Sequence, residues 1–188
     1  MRKIHSQFEN PIDDVLISLC EPASVWLYKN TNITPNMITT IGVIFGILSI
    51  YNLINKNYVN SFIFYWISYY IDCLDGYFAR KYDMVTEFGG YYDFIRDIIV
   101  NLSLVTIIFF ELKTNRSKFL FTIIMIISYY WMLVHLGCQE VIYNDDESAL
   151  GALKNLCSHH SHINNTKFVG CGTTVLITSL FILLHKII

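Results

Sequence analysis

Residues 72–97 read DCLDGYFARKYDMVTEFGGYYDFIRD and set four carboxylates, Asp72, Asp75, Asp93 and Asp97, at the ends of two long apolar runs. A charge near the bilayer centre costs about 2.5–3.5 kcal/mol on insertion scales. Four carboxylates beside lipid therefore need a counter-charge. Arg80, Lys81 and Arg96 face Asp72, Asp75, Asp83, Glu87, Asp93 and Asp97 in this stretch, which leaves it three charges negative. Carboxylate oxygens are hard donors, and one or two divalent cations are the matching remedy.

Helical spacing supports that chemistry. At about 100° per residue, Asp72, Asp75, Gly76 and Ala79 share an arc of roughly 100°. Gly89, Asp93, Arg96 and Asp97 share a similar arc on the next segment. The short link at 81–88 predicts antiparallel neighbouring helices whose carboxylate pairs face one gap. Gly76 and Ala79 leave space beside the carboxylates for a ligand passing close to the backbone.

The same residues form the pattern D-x2-D-G-x2-A-R-x8-G-x3-D-x3-D, met at Asp72, Asp75, Gly76, Ala79, Arg80, Gly89, Asp93 and Asp97 without mismatch. It resembles the signature of the class I CDP-alcohol phosphatidyltransferase family. The resemblance implies attack by an acceptor hydroxyl on the phosphorus that carries the donor's alcohol, with CMP leaving. The donor would be a CDP-linked alcohol such as CDP-diacylglycerol, CDP-choline or CDP-ethanolamine. It implies Asp72, Asp75, Asp93 and Asp97 as metal ligands, the ions being Mg²⁺ or Mn²⁺, two per site. Asp97 is then the catalytic base, and Gly76, Ala79, Arg80 and Gly89 hold the CDP moiety. Arg80 would meet a phosphate oxygen, and Gly89 would let its helix approach the preceding one. Asp83 and Glu87 fall outside the pattern and read as solvated loop charges.

Composition sets the class. Of 188 residues, 54% are hydrophobic and 15% charged, against about a quarter charged in soluble domains. This reads as an all-α polytopic membrane helix bundle. With a net charge of −2 and no basic stripe, no nucleic-acid partner is expected. The first 30 residues carry no signal-peptide pattern. Five cysteines, Cys20, Cys73, Cys138, Cys157 and Cys171, match no disulfide or zinc framework and read as reduced structural residues.

Two regions are expected: an interfacial amphipathic segment at 1–36 and a transmembrane domain at 37–188. Asn10, Pro11, Asp13 and Asp14 open a short helix ending near residue 20. Its predicted apolar stripe is Ile12, Val15, Leu16, Leu19 and Cys20, with Trp26 and Tyr28 near headgroup level. It lies in the interface, packs on the bundle's flank, or does both. Five spans follow, at about 37–54, 58–80, 88–112, 119–143 and 168–186. The family usually has six, and the segment SALGALKNLC at 148–157 is too short and only partly apolar. Gly42 and Gly46 have the spacing of a close helix contact. Pro35, Asn36 and Thr39 resemble the family's entry to its first span, which implies a place at the nucleotide end of the site; a plain helix start explains them equally.

Lys and Arg divide eight to five in favour of the active end, which predicts that this end is cytosolic. The resemblance also implies a homodimer. The alternative reading of the four Asp, an interhelical salt-bridge set with Arg80 and Arg96, leaves charge unbalanced. Arg96 itself either binds an anionic substrate group or, as preferred, pairs with Asp93 or snorkels to water. His135 reads as a hydrogen-bonded packing residue, and His159, His160 and His162 as part of a polar loop rather than a zinc site. Two other functions use similar residues. A membrane prenyltransferase also holds a diphosphate through metal, but with two separate Asp-rich motifs and more spans. A divalent-cation transporter would leave Gly76, Ala79, Arg80 and Gly89 without a role. The acceptor is open: inositol, glycerol phosphate, serine and diacylglycerol all fit.

Overall fold

The computed structural model describes residues 1–143, 150–157 and 163–184, and no strand occurs among them. Seven α-helices are α1 (Pro11–Asn30), α2 (Pro35–Ile54), α3 (Tyr58–Lys81), α4 (Glu87–Glu111), α5 (Asn115–Tyr143), α6 (Ile163–Thr166) and α7 (Cys171–Leu184). Among the described residues, three stretches are long and apolar enough to cross a membrane: Pro35–Ile54, Asn115–Tyr143 and Ile163–Leu184. Helices α3 and α4 have 24 and 25 residues and carry the charged site residues. At 1.5 Å per residue, each is roughly 36 Å long, enough for a bilayer core.

Helix α2 buries mostly small and polar residues and turns large apolar ones outward. In α2 the buried set includes Thr39, Gly42, Gly46 and Ser49, whereas Ile41, Ile44 and Ile47 are exposed. That inversion suits lipid, where close packing and interhelical hydrogen bonds hold helices together. A Cβ on Gly46 would lie 2.7 Å from Val100 Cγ2, so the Gly42/Gly46 pair does set a close helix contact, with α4. Ser68 Oγ donates to the Gly42 carbonyl at 2.8 Å and Ser49 Oγ to the Ser61 carbonyl at 2.9 Å, tying α3 to α2. An apolar core of Leu53, Val100, Leu104, Ile108, Phe121 and Ile182 fills the end away from the carboxylates.

Helix α1 departs from expectation in length. Asn10 caps it as predicted, accepting from Ile12 N at 3.0 Å. It then runs through Pro22 to Asn30 instead of ending near residue 20. An interior proline costs about 3 kcal/mol or more, and the packing of Cys20 and Ser24, both wholly buried, offsets it here. The buried stripe is Asp13, Ile17, Cys20 and Ser24. Val15 and Leu19, expected in the apolar stripe, are exposed with Trp26. Apolar outward is again the arrangement of a lipid-facing helix. Tyr28 stacks on Tyr82, ring centroids 3.8 Å apart, against the α3–α4 link.

Both α3 and α4 pack along α2, and their backbones make little contact with each other. Their side chains meet across one gap, Arg96 bonding Asp72 and Ser68, as the short link predicts, and that gap becomes the site. The last apolar stretch starts earlier than predicted, at Ile163, and breaks at Gly170 before α7. A Cβ at Gly170 would stand 2.7 Å from His135 Cδ2. Residues 151–156 form a 3-10 turn against α5, not a sixth span. The reduced reading of all five cysteines is corrected: Cys138 and Cys157 form a disulfide, while Cys20, Cys73 and Cys171 are free. Gly137 permits it, because a Cβ there would lie 2.2 Å from the Leu153 carbonyl oxygen. The predicted His159, His160 and His162 loop lies outside the described residues.

Candidate active site

The C-terminal third of α3 and the first turns of α4 face a cavity of about 1090 Å³. Asp72, Asp75 and Asp93 each offer a carboxylate oxygen within 4.8 Å of the others, as their spacing predicts. Asp75 Oδ2 and Asp93 Oδ1 are buried without a hydrogen-bond partner. Buried carboxylate oxygens that lack donors are costly. Three converging hard donors with orphaned oxygens fit a Mg²⁺- or Mn²⁺-type ion.

Asp97 lines the same cavity, outside the set of oxygens that all lie within 4.8 Å of one another. Its Oδ1 accepts from Arg96 Nη1 at 3.0 Å. Arg96 is where the structure differs most from the sequence reading. It neither snorkels nor pairs chiefly with Asp93, whose Oδ1 is 3.8 Å away. Its side chain is 3% exposed and donates to Asp72 and Asp97. Nη2 donates to the Ser68 carbonyl at 2.7 Å and to Ser68 Oγ at 2.8 Å. Gly42 makes this possible, since a Cβ there would sit 3.0 Å from Nη2. The guanidinium thus joins three helices and fixes one carboxylate on each side of the gap. Four carboxylates against one guanidinium still leave an excess of negative charge.

The other signature residues also line the cavity. The room beside Gly76 is taken by Arg80, whose Nη1 would lie 3.0 Å from a Cβ there. Arg80 Nε donates to the Met1 carbonyl at 2.9 Å. Ala79 and Gly89 reach the cavity wall, as do Pro35, Asn36 and Thr39. Gly89 admits α2 rather than α3: a Cβ there would meet Asn36 Oδ1 at 2.9 Å. Away from the carboxylates, Leu102, Val105, Phe109, Phe121 and Met125 line an apolar limb between α4 and α5.

The sequence reading missed a second polar wall. Lys3, Glu9, Asp13, Tyr69 and Gln139 line the cavity beside Asp72. Tyr69 OH donates to Asp13 Oδ1 at 2.5 Å and Gly172 N to Asp13 Oδ2 at 3.3 Å. Gln139 Nε2 donates to Glu9 Oε2 at 3.1 Å and contacts His135 Nε2 at 3.2 Å. That nitrogen therefore accepts, and His135 Nδ1–H donates to Thr166 Oγ1 at 3.2 Å. His135 is wholly buried and hydrogen-bonded, the packing role expected of it. Burial, reinforced by the neighbouring Asp13 charge, pushes the Glu9 carboxyl up to about 7. Burial raises Asp13 to about 6 against the Tyr69 and Gly172 hydrogen bonds. A signal was present: Asp13 is in helical phase with Ile17, Cys20 and Ser24, a stripe of small or apolar residues.

A family model for CDP-alcohol phosphatidyltransferase matches residues 32–187. The chain belongs to the CDP-alcohol phosphatidyltransferase family. Two curated relatives share part of this family member's sequence. The CDP-diacylglycerol–inositol 3-phosphatidyltransferase of Candida albicans is 38% identical over 71 residues, 38% of this chain and 30% of the relative. The archaetidylinositol phosphate synthase of Pyrococcus horikoshii is 33% identical over 72 residues, 38% of each chain. The matches thus span 30% and 38% of the two relatives' lengths. No solved structure matches. The family match begins at residue 32, so Glu9 and Asp13 lie outside it.

Proposed function

We propose that this chain transfers a substituted phosphate from a CDP-linked alcohol to an acceptor hydroxyl, releasing CMP, in membrane phospholipid synthesis. The observation that carries the reading is the convergence of Asp72, Asp75 and Asp93, two with orphaned oxygens, on a cavity that is polar at one end and apolar at the other. The apolar limb between α4 and α5 suits the acyl chains of a lipid, which favours a CDP-diacylglycerol type of donor. The names of both relatives point to an inositol-type headgroup.

Asp72, Asp75 and Asp93 would hold the divalent ions, two per site, with Asp97 beside the second. When bound, the ions would neutralise the diphosphate and stabilise charge developing on CMP. Arg80 would release the Met1 carbonyl to meet a phosphate oxygen. Arg96 holds Asp72 and Asp97 in register across the gap. Asp97 would take the proton of the acceptor hydroxyl as its oxygen bonds to phosphorus. The bond from phosphorus to the CMP oxygen breaks, and CMP leaves with that electron pair. Positioning and charge would supply most of the rate.

Five spans, with α3 and α4 crossing beside the three strongly apolar stretches, would complete the topology. Arg2, Lys3, Arg80, Lys81 and Lys167 meet Asp14, Glu140, Met1, Glu21 and Gln7 at one end. This cationic end supports a cytosolic active site. The test is CMP release by the purified chain in nanodiscs from CDP-diacylglycerol with a mixed acceptor panel. Release should stop on chelation and in Asp97→Asn; flux of divalent cations without CMP release would replace this reading with a transporter.

A further inference from the structure

The wall beside Asp72 has no role in the chemistry above, yet it is built from four separate parts of the fold. Glu9 comes from the segment before α1, Asp13 from α1, Tyr69 from α3 and Gln139 from α5. Tyr69 stands one helical turn before Asp72 on α3, so this wall adjoins the proposed reaction centre. Glu9 is 5% exposed. One of its oxygens accepts from Gln139, and the other has no hydrogen-bond partner among the described residues, although Glu9 lines the cavity. Asp13 is held at both oxygens, by Tyr69 and Gly172. Gly172 is needed for that approach, because a Cβ there would lie 2.5 Å from Asp13 Oδ1.

Charge at this wall is one-sided. The cations among the described cavity-lining residues are Lys3 and Arg80. Lys3 is committed to the buried Glu140 carboxylate. Arg80 sits beside Gly76 and is committed to the Met1 carbonyl. What remains is two carboxylates and an amide: acceptors for hydroxyl donors, and a repulsive surface for an anion.

We propose that Glu9, Asp13 and Gln139 form the acceptor subsite, and that it takes an uncharged polyol in preference to the phosphate ester of that polyol. The inference rests on the transfer reading and deepens it. A ring or chain of hydroxyls donates to Glu9 and Asp13, while the Gln139 amide holds Glu9 in place. A phosphorylated acceptor would carry its charge into a wall that is already negative. The two relatives' names stand on either side of this choice, one naming inositol and the other archaetidylinositol phosphate. The raised carboxyls of Glu9 and Asp13 report the same desolvated, like-charged surroundings. Glu9 and Asp13 lie outside the family match and Gln139 inside it, so the amino-terminal segment supplies both carboxylates of the subsite.

The test uses the full chain in nanodiscs with CDP-diacylglycerol and Mn²⁺, reading CMP release. Myo-inositol or glycerol should show at least tenfold higher kcat/KM than myo-inositol 1-phosphate or glycerol 3-phosphate. Glu9→Gln should raise the KM for the polyol about tenfold with the donor KM unchanged. Gln139→Lys should move the preference at least tenfold toward the phosphate ester. Equal or greater use of the phosphorylated acceptors by the parent chain overturns the proposal and leaves the transfer reading standing, as does preferred use of diacylglycerol with CDP-choline. If no acceptor releases CMP, the transfer reading fails. Binding of tritiated myo-inositol then decides the subsite: saturable binding weakened tenfold in Glu9→Gln supports it, and none overturns it.

Discussion

Replacing Arg96 by Gln removes the guanidinium set between the two carboxylate pairs. Its Nη1 lies 3.0 Å from Asp97 and 3.8 Å from Asp93, and it also bonds Asp72. At an effective dielectric constant of about 20, the attractions to Asp97 and Asp93 are about 5.5 and about 4.4 kcal/mol before desolvation is counted. Desolvation of the ions offsets much of that. Breaking a buried pair by removing one partner costs about 3–5 kcal/mol net, which for a chain of this size lowers Tm by roughly 6–20 °C. A second effect runs the other way. With one positive charge gone, Asp72, Asp75 and Asp93 should bind a divalent cation at least tenfold more tightly. A tenfold gain adds about 1.4 kcal/mol of stabilisation at a fixed saturating concentration. The assay is thermal unfolding of parent and variant in detergent, in EDTA and across a Mn²⁺ titration. The variant should melt well below the parent in EDTA and recover part of the gap in Mn²⁺. Its activity should stay at least a hundredfold down, since Asp72 and Asp97 have lost their common anchor. A variant as stable as the parent in EDTA, or one that binds Mn²⁺ no more tightly, would refute the account of the site.

Four further outcomes are expected. Asp75→Asn and Asp93→Asn should each weaken Mn²⁺ binding at least tenfold by titration calorimetry; unchanged affinity would remove them as ligands. Gly137→Ala should cost about 1–3 kcal/mol by overpacking, because the Leu153 carbonyl 2.2 Å from its Cβ is backbone and must shift; a neutral result in thermal unfolding would contradict the packing of 151–156 on α5. Reducing Cys138–Cys157, a closure over 19 residues, should cost about 3 kcal/mol on loop entropy, seen as a Tm loss in reductant that Cys157→Ser abolishes. Glu9 titrates at about 7 when folded against an ordinary 4.5. Its contribution to stability is therefore fully present below pH 4.5 and falls as pH rises through 7, by about 1–3 kcal/mol. Glu9→Gln should flatten that part of the stability profile, and an unaltered slope would show that Glu9 does not cause it.

Much of the reaction centre was legible because helical phase is local. Asp72 and Asp75, or Asp93 and Asp97, share a face whatever surrounds them, and the borders of α2 to α5 fell within a few residues of those expected. Arg96 was harder. Its arc was visible, but whether it reaches water or folds inward depends on Gly42 and Ser68, far away in sequence. In α1 the expected stripe divides, Val15 and Leu19 outward and Cys20 inward, because an apolar side chain suits lipid as well as the core. The expected end of α1 near residue 20 fell short because local propensity cannot weigh the packing of Cys20 and Ser24, which carries the helix through Pro22. The disulfide was hidden because cysteine spacing says nothing of a 3-10 turn laid back on α5.

By itself, the order of residues determined the helical class, the membrane setting, the family and the carboxylates that converge. These follow from composition and from intervals of three or four residues. Only the folded chain decided which acids Arg96 pairs with, and that Glu9 and Asp13 stand at the cavity beside Asp72. The latter is set by contacts between segments more than a hundred residues apart, Gln139 with Glu9 and Gly172 with Asp13, where shape and desolvation choose the partner.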